Sequence, residues 1–208
     1  MTRPQKTAPA GAAIRLLAGL GNPGARYAAT RHNAGFLLVD RLAALWDIDP
    51  PVAGSEPDIA WASATAAGPP VVIAKPLAYM NRSGPPLRRL ADALQIPVQA
   101  VMVVHDDVDL VFGRIKIKQK GGDGGHRGLM SLIDAFGRDD FVRLRIGIGR
   151  PAPGQTAVEH VLSGFTPEEA SAFEAILARG CEAAAFAIQY GAAAAMNRFN
   201  ANRGSHSP

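Results

Sequence analysis

Six short runs of β-branched and aliphatic residues, set between longer amphipathic stretches, restrict the fold of this chain more than any other feature. The runs occupy residues 14–19, 59–64, 71–75, 100–105, 113–118 and 142–149. Each has the length of a strand, not of a helix. Apolar residues recur at helical spacing over 33–46, 84–94, 125–136, 167–179 and 181–197. A sheet with helices between its strands buries its apolar faces by laying those helices against them. The order therefore predicts an α/β fold, a single domain with a central twisted mixed β-sheet flanked by helices. The domain is expected over residues 14–198, with 1–13 and 199–208 as flexible tails. Residues 47–57 and 151–155 read as loops, too short and too uncharged to be domain linkers.

A length of 208 residues supports one substantial core. With only 6% aromatic residues, that core must rest on Ala, Val, Leu and Ile. No apolar run is long enough to cross a bilayer. The first 13 residues carry Arg3 and Lys6 without an apolar stretch of the kind a secretory signal needs. A cytoplasmic protein without membrane association is expected. The lone cysteine, Cys181, sits in an Ala-rich helical stretch and reads as a small buried hydrophobe. The net charge of +4 tilts the chain toward an acidic partner.

Gly19, Gly21 and Gly24 match the spacing of a dinucleotide-binding turn after a strand. That turn works when it opens directly into a helix holding the pyrophosphate. Here Pro23-Gly24 reads as a turn, and the helical pattern starts only near Asn33. Asp40, about where a ribose-binding acid belongs, falls in mid-helix. A nucleotide-dependent oxidoreductase is the weaker reading.

Polar residues gather just after the strands, at 21–33, 76–83, 106–109 and 121–127, which points to one shared cleft. His32, flanked by Arg31 and Asn33 and near Asn22, lies in a loop-to-helix transition open to a substrate. His126 also lies in glycine-bearing, polar surroundings. His105 ends an apolar strand and reads as structural. The acids Asp106, Asp107 and Asp109 offer two readings. A divalent cation would want further converging oxygens, and no second carboxylate-rich segment supplies them. An aspartate at a strand end can instead orient an imidazole and stabilise its protonated form. Asp107 and Asp109 fit turn formation. Asn81 reads equally as a helix cap or as an amide offered to a substrate.

Arg114, Lys116, Lys118 and Lys120 recur at every second residue, which sets them on one strand face with Ile115 and Ile117 on the other. Four like charges in a row repel one another, and an RNA phosphate backbone would relieve them. No serine elbow, metalloprotease helix or paired cysteine motif is present. A water molecule activated by a histidine is the remaining nucleophile.

Taken in order, Gly19 to Gly24, Tyr27 to Gly35, Met80-Asn81, His105 to Asp109, Gly121 to Gly128 and Leu144 to Gly149 resemble bacterial-type peptidyl-tRNA hydrolase. The resemblance runs from about Ile14 to Asn197. It implies hydrolysis of the ester between a peptide and the 3′ ribose of tRNA, which recycles tRNA. It implies His32 as base, Asp106 as its support, and Asn22 as the residue that helps distinguish blocked from free aminoacyl ends. Tyr27, Tyr79 and Asn81 are implied to line the substrate channel. Lys118 and Arg145, with Lys116 on the same strand face, are placed at the tRNA phosphates. His126 and Arg127 are placed on the substrate wall. Arg127 departs from the family, which usually has Asn there. The resemblance also implies no metal, no cofactor, no DNA partner, a monomer, and contact with the acceptor stem and 3′ end of the tRNA. A non-catalytic RNA-binding relative is the alternative.

Overall fold

The computed structural model describes residues 13–54 and 56–201. Its strands are β1 (Leu16–Gly19), β2 (Val52–Ala53), β3 (Ile59–Ala64), β4 (Val71–Pro76), β5 (Val101–Asp107), β6 (Ile115–Lys118) and β7 (Val142–Gly147). They form one mixed sheet in the order β2–β3–β4–β1–β5–β7–β6. The four middle strands run parallel. β2 and β3 on one edge and β6 on the other are antiparallel to their neighbours.

Helices cover both faces. α1 (Ala34–Leu45), α5 (Pro167–Tyr190) and α6 (Ala192–Phe199) bury Leu38, Ala184 and Phe199 against Leu17, Ile73, Met102 and Leu144. On the opposite face α2 (Gly84–Ala93) and α3 (Arg127–Phe136) bury Leu87, Leu132 and Phe136 against Leu16, Ala18, Val101 and Val103. Successive residues of β1 and β5 thus enter opposite cores, as alternation along a strand requires. Because both faces are buried, these strands read as unbroken apolar runs.

The helix boundary expected near Gly180 falls instead at Gly191, whose φ is 86°. Gly180 lies inside α5. A Cβ there would sit 2.6 Å from Leu38 Cδ1, so this glycine admits α1 at close range and does not stop the helix. The short helix α4 (Ala157–Leu162) and strand β2 were not expected. α4 did have a sequence signal: Thr156 and Glu159 form a reciprocal capping box, as Thr166 and Glu169 do at the start of α5.

Phe199 and Asn200, assigned above to the C-terminal tail, belong to the fold. Phe199 is buried, and the Asn200 amide both accepts from and donates to the backbone of Ile117. That pairing covers part of an otherwise open sheet edge. The remainder of the expected tails, residues 1–12 and 202–208, lies outside the described residues. Among the described residues no helix is long and apolar enough to cross a membrane.

Candidate active site

β1 has β4 on one side and β5 on the other, so chain connections leave it in both directions. The crevice at the carboxyl end of such a strand is where open α/β sheets collect ligands. Here it opens into a groove of about 520 Å³. Asn22 follows β1, Asp106 lies near the end of β5, His32 sits in a 3-10 turn ahead of α1, and His126 caps α3. Four loops expected to share a cleft therefore do so.

The glycines after β1 have a different task from the one a dinucleotide would set. β1 leads into a 3-10 turn, Ala25–Tyr27, and not into a helix. A Cβ at Gly19 would lie 2.2 Å from the Gly35 carbonyl oxygen, and one at Gly21 would lie 2.6 Å from the Phe36 ring. The first turn of α1 occupies the space a pyrophosphate would need. Asp40 is paired with Lys75.

Asp106 is the hub of the site. Its carboxylate receives His32 Nδ1 at 2.9 and 3.0 Å and His126 Nε2 at 3.0 Å. The tautomers follow from the partners. His126 Nδ1 accepts from the N–H groups of Gly128 and Leu129, at 3.1 and 3.3 Å, so its proton is on Nε2 and is donated to Asp106. Asp106 accepts only, so His32 carries its proton on Nδ1. His32 Nε2 is left with a free lone pair and no partner among the described residues. Burial alone would raise the Asp106 carboxyl, but His126 and His32 outweigh it and hold the group well below the usual carboxylate range. The ligand atoms of His32, Asp106 and His126 lie within 4.8 Å of one another, close enough to suggest a metal cluster. An ion there would have to displace both N–H donors and leave the start of α3 uncapped or the imidazole reversed.

Both ring nitrogens of His126 are thus engaged. Its ring lines the groove, where a substrate-wall residue is expected, and its two nitrogens fix Asp106 to the start of α3. His105 is buried, as expected, and its Nδ1–H donates to the Asp106 carbonyl at 2.7 Å. Burial and the neighbouring His126 push it down to about 3 and keep the ring neutral. Asp107 builds the turn by accepting from the Asp109 N–H, and it also pairs with Arg145 at 2.5 Å.

Asn22 is held from two sides. Met80 N–H donates to its Oδ1 at 2.8 Å, which leaves its NH2 group without a partner among the described residues. Its backbone is clamped by Asn33, which accepts from Asn22 N–H at 2.8 Å and donates to Asn22 O at 3.0 Å. Asn33 is a positioning residue that sequence reasoning passed over, although its place beside His32 was the available signal. Arg31 was likewise read only as a polar neighbour. It is buried and ties the His32 turn to the α4–α5 connection through Ser163, Gly164 and Glu169.

Tyr27, Tyr79, Asn81 and Arg127 line the groove. The capping role considered for Asn81 does not hold: Ser83 Oγ donates back to the Met80 carbonyl, and the first N–H of α2, from Gly84, donates to Ser131 Oγ of α3 at 3.0 Å. Val158, Val161 and Leu162 of α4 add an apolar wall. On β6 the expected alternation holds, with Ile115 and Ile117 buried, but only Lys116 and Lys118 of the four basic residues lie within the strand. Lys116 stands opposite Arg145 and Lys118 opposite Arg143. Lys118, Arg143 and Arg145 line the groove, whereas Lys116 does not. Asp107 neutralises Arg145, and Arg143 donates to the carbonyls of Gly122 and Asp139. Lys118 has no carboxylate partner among the described residues.

No serine, threonine or cysteine of the described residues lines the groove. Cys181 is buried on the far core, its thiol pushed up to about 12 by burial. Fold and site together define an α/β protein with an imidazole–carboxylate centre at the carboxyl end of a mixed sheet. The family model described as peptidyl-tRNA hydrolase matches residues 16–207. By that match this chain belongs to the peptidyl-tRNA hydrolase family. Among its relatives, the peptidyl-tRNA hydrolase of Desulforudis audaxviator is 45% identical over 91% of this chain and 95% of that protein. The one from Geobacillus kaustophilus is 42% identical over 90% of this chain and all of that protein. The crystal structure of peptidyl-tRNA hydrolase from Acinetobacter baumannii superposes with a TM-score of 0.82 at 35% identity, covering 90% of this chain and 95% of that one.

Proposed function

We infer that this chain hydrolyses the ester joining a peptide to the 3′ ribose of tRNA, releasing free tRNA and peptide, with water as nucleophile and His32 as base. The observation that carries this reading is the His32–Asp106 pair. Its geometry puts the proton on Nδ1 and leaves Nε2 available beside a groove that lacks a side-chain hydroxyl or thiol of Ser, Thr or Cys. Water loses a proton to His32 Nε2 as its oxygen bonds the ester carbon. The carbonyl electrons move to oxygen, where the NH2 of Asn22 supports the developing charge. Asp106 stabilises the imidazolium. Collapse re-forms the carbonyl and breaks the bond to the ribose oxygen, which takes the proton back from Nε2.

Tyr27, Tyr79 and Asn81 flank the acyl and terminal-nucleoside portions in this reading. Lys118 and Arg145, with Lys116 behind them, meet acceptor-stem phosphates. One copy supplies every residue of the site, so a monomer suffices, and the substrate places the enzyme in the cytoplasm. The test is His32→Ala on N-acetyl-aminoacyl-tRNA. Turnover should fall by about 10²–10⁴-fold, the usual contribution of a positioned general base, while tRNA affinity persists. Retained turnover would end the assignment of the base.

A further inference from the structure

Beside the catalytic groove lies a second one, of about 610 Å³, lined by Asn81, Pro85, Arg127, Met130, Ser131, Asp134 and Ala135. Asn81 and Arg127 line both, so the two grooves share a wall. Residues 127, 130, 131 and 134 recur at intervals of three and four, which places them on one face of α3. Arg127 stands at the end nearest His126. Met130, half exposed, lies in the middle, and Asp134 at the far end, with Pro85 of α2 across from them. Neither Arg127 nor Asp134 has an ion-pair partner among the described residues. Both are exposed, so each can meet a ligand at little desolvation cost.

We propose that this second groove is the subsite for the penultimate nucleotide of the RNA 3′ end. Arg127 takes the phosphodiester 5′ of the terminal adenosine, Met130 and Pro85 pack on the base, and Asp134 accepts from the exocyclic amine of a cytosine. The inference rests on the reading of the substrate given above. Seven helical residues separate the cation from the carboxylate by about 10 Å, comparable with the span from a nucleotide's phosphate to the far edge of its base. The order cation, apolar floor, acceptor matches phosphate, base face and amine. A carboxylate accepting from cytosine N4 is an established pairing, and unpaired base faces pack on side-chain platforms. A peptide fits less well. Its side chains differ from substrate to substrate, so a fixed cation and a fixed anion would favour some peptides and reject others. The 3′ end of tRNA is always C-C-A, and the nearest anion to the ester is the phosphodiester before the terminal adenosine.

The experiment uses N-acetyl-aminoacyl minihelices that end in CCA or in CUA, with neutral, acidic and basic acyl residues. Wild type should hydrolyse CCA ends with a kcat/KM roughly tenfold above CUA ends, the scale of one hydrogen bond to a charged group. D134A should erase that preference. R127N should lower kcat/KM on both RNAs and flatten the slope of log kcat/KM against log salt by about 0.7, the change for one single-strand phosphate. Equal rates on CCA and CUA, an unchanged salt slope, or effects that follow the acyl residue would overturn the proposal, the last by giving the groove to the peptide. If wild type hydrolyses none of these esters, the enzymatic reading itself fails, a result distinct from all of these.

Discussion

The Asp106 centre and the β6–β7 face hold their charge in opposite ways. At Asp106, donors and acceptors are matched inside the protein: two imidazoles on one carboxylate, and one of those imidazoles also capping α3. Asp106 is only 2% exposed, so this charge acts where water screens it poorly. On β6–β7, Arg143 and Arg145 are anchored by protein acceptors while Lys118 projects into solvent unpaired. Proton transfer needs a fixed tautomer and tight distances, so the protein supplies every partner itself. A flexible polyanion brings its own counter-charges, and an exposed ammonium group waits for them at little desolvation cost.

That contrast can be broken most severely at Asp106. Asp106→Asn keeps one oxygen for the Nε2–H of His126 but sets an NH2 group in place of the second oxygen against His32 Nδ1, which disfavours the Nδ1–H tautomer and removes the charge that stabilises the imidazolium. Turnover should fall by about 10²–10⁴-fold, the consequence of a misplaced imidazole proton. A pre-steady-state assay that finds less than a fivefold loss would show that Asp106 does not set the tautomer.

The buried side of the comparison also predicts a pH dependence of folding. The unfolded chain protonates His105 near its ordinary value of 6.5, while burial holds the folded ring at about 3. Between those values the unfolded state binds more protons, so stability falls as pH drops from about 6.5 toward 3. Asp106 has the usual carboxylate sign: its folded value is depressed, so its contribution is present above about pH 4 and is lost in stronger acid. Chemical denaturation at pH 7 and pH 4.5 should show His105→Gln losing less stability on acidification than wild type. Equal losses would remove His105 from the account.

The smallest effect belongs to the exposed face. Lys118→Ala should weaken tRNA binding several-fold at low salt and converge on wild type at high salt, with kcat at saturation unchanged. A change in kcat that ignores salt would mean that Lys118 belongs with the catalytic centre after all.

Much of this was legible in the chain. Unbroken apolar runs announced strands buried on both faces, and clusters of polar residues just after them announced where the groove would be. His32 stood out by its polar neighbours in a loop-to-helix transition and Asp106 as an acid at the end of a strand, whereas a role for Asn22 came only from the family resemblance. The basic stripe of β6 was readable from its period of two. The end of α5 was not. A glycine within a helical pattern can stop a helix or make room for a neighbour, and only Leu38 against Gly180 decides between them. The role of His126 was equally hidden, since which nitrogen it spends on α3 and which on Asp106 depends on two elements far apart in sequence.

Local chemistry and periodicity are properties of neighbouring residues, so the sequence by itself determined six of the seven strands, most helices and the kinds of side chain available for chemistry. Tertiary structure alone decided which of those side chains meet. Asp106 is 74 residues from His32 and 20 from His126, and hydrogen bonds at 2.9–3.0 Å between them exist only once the sheet order has brought β1, β5 and α3 to one edge.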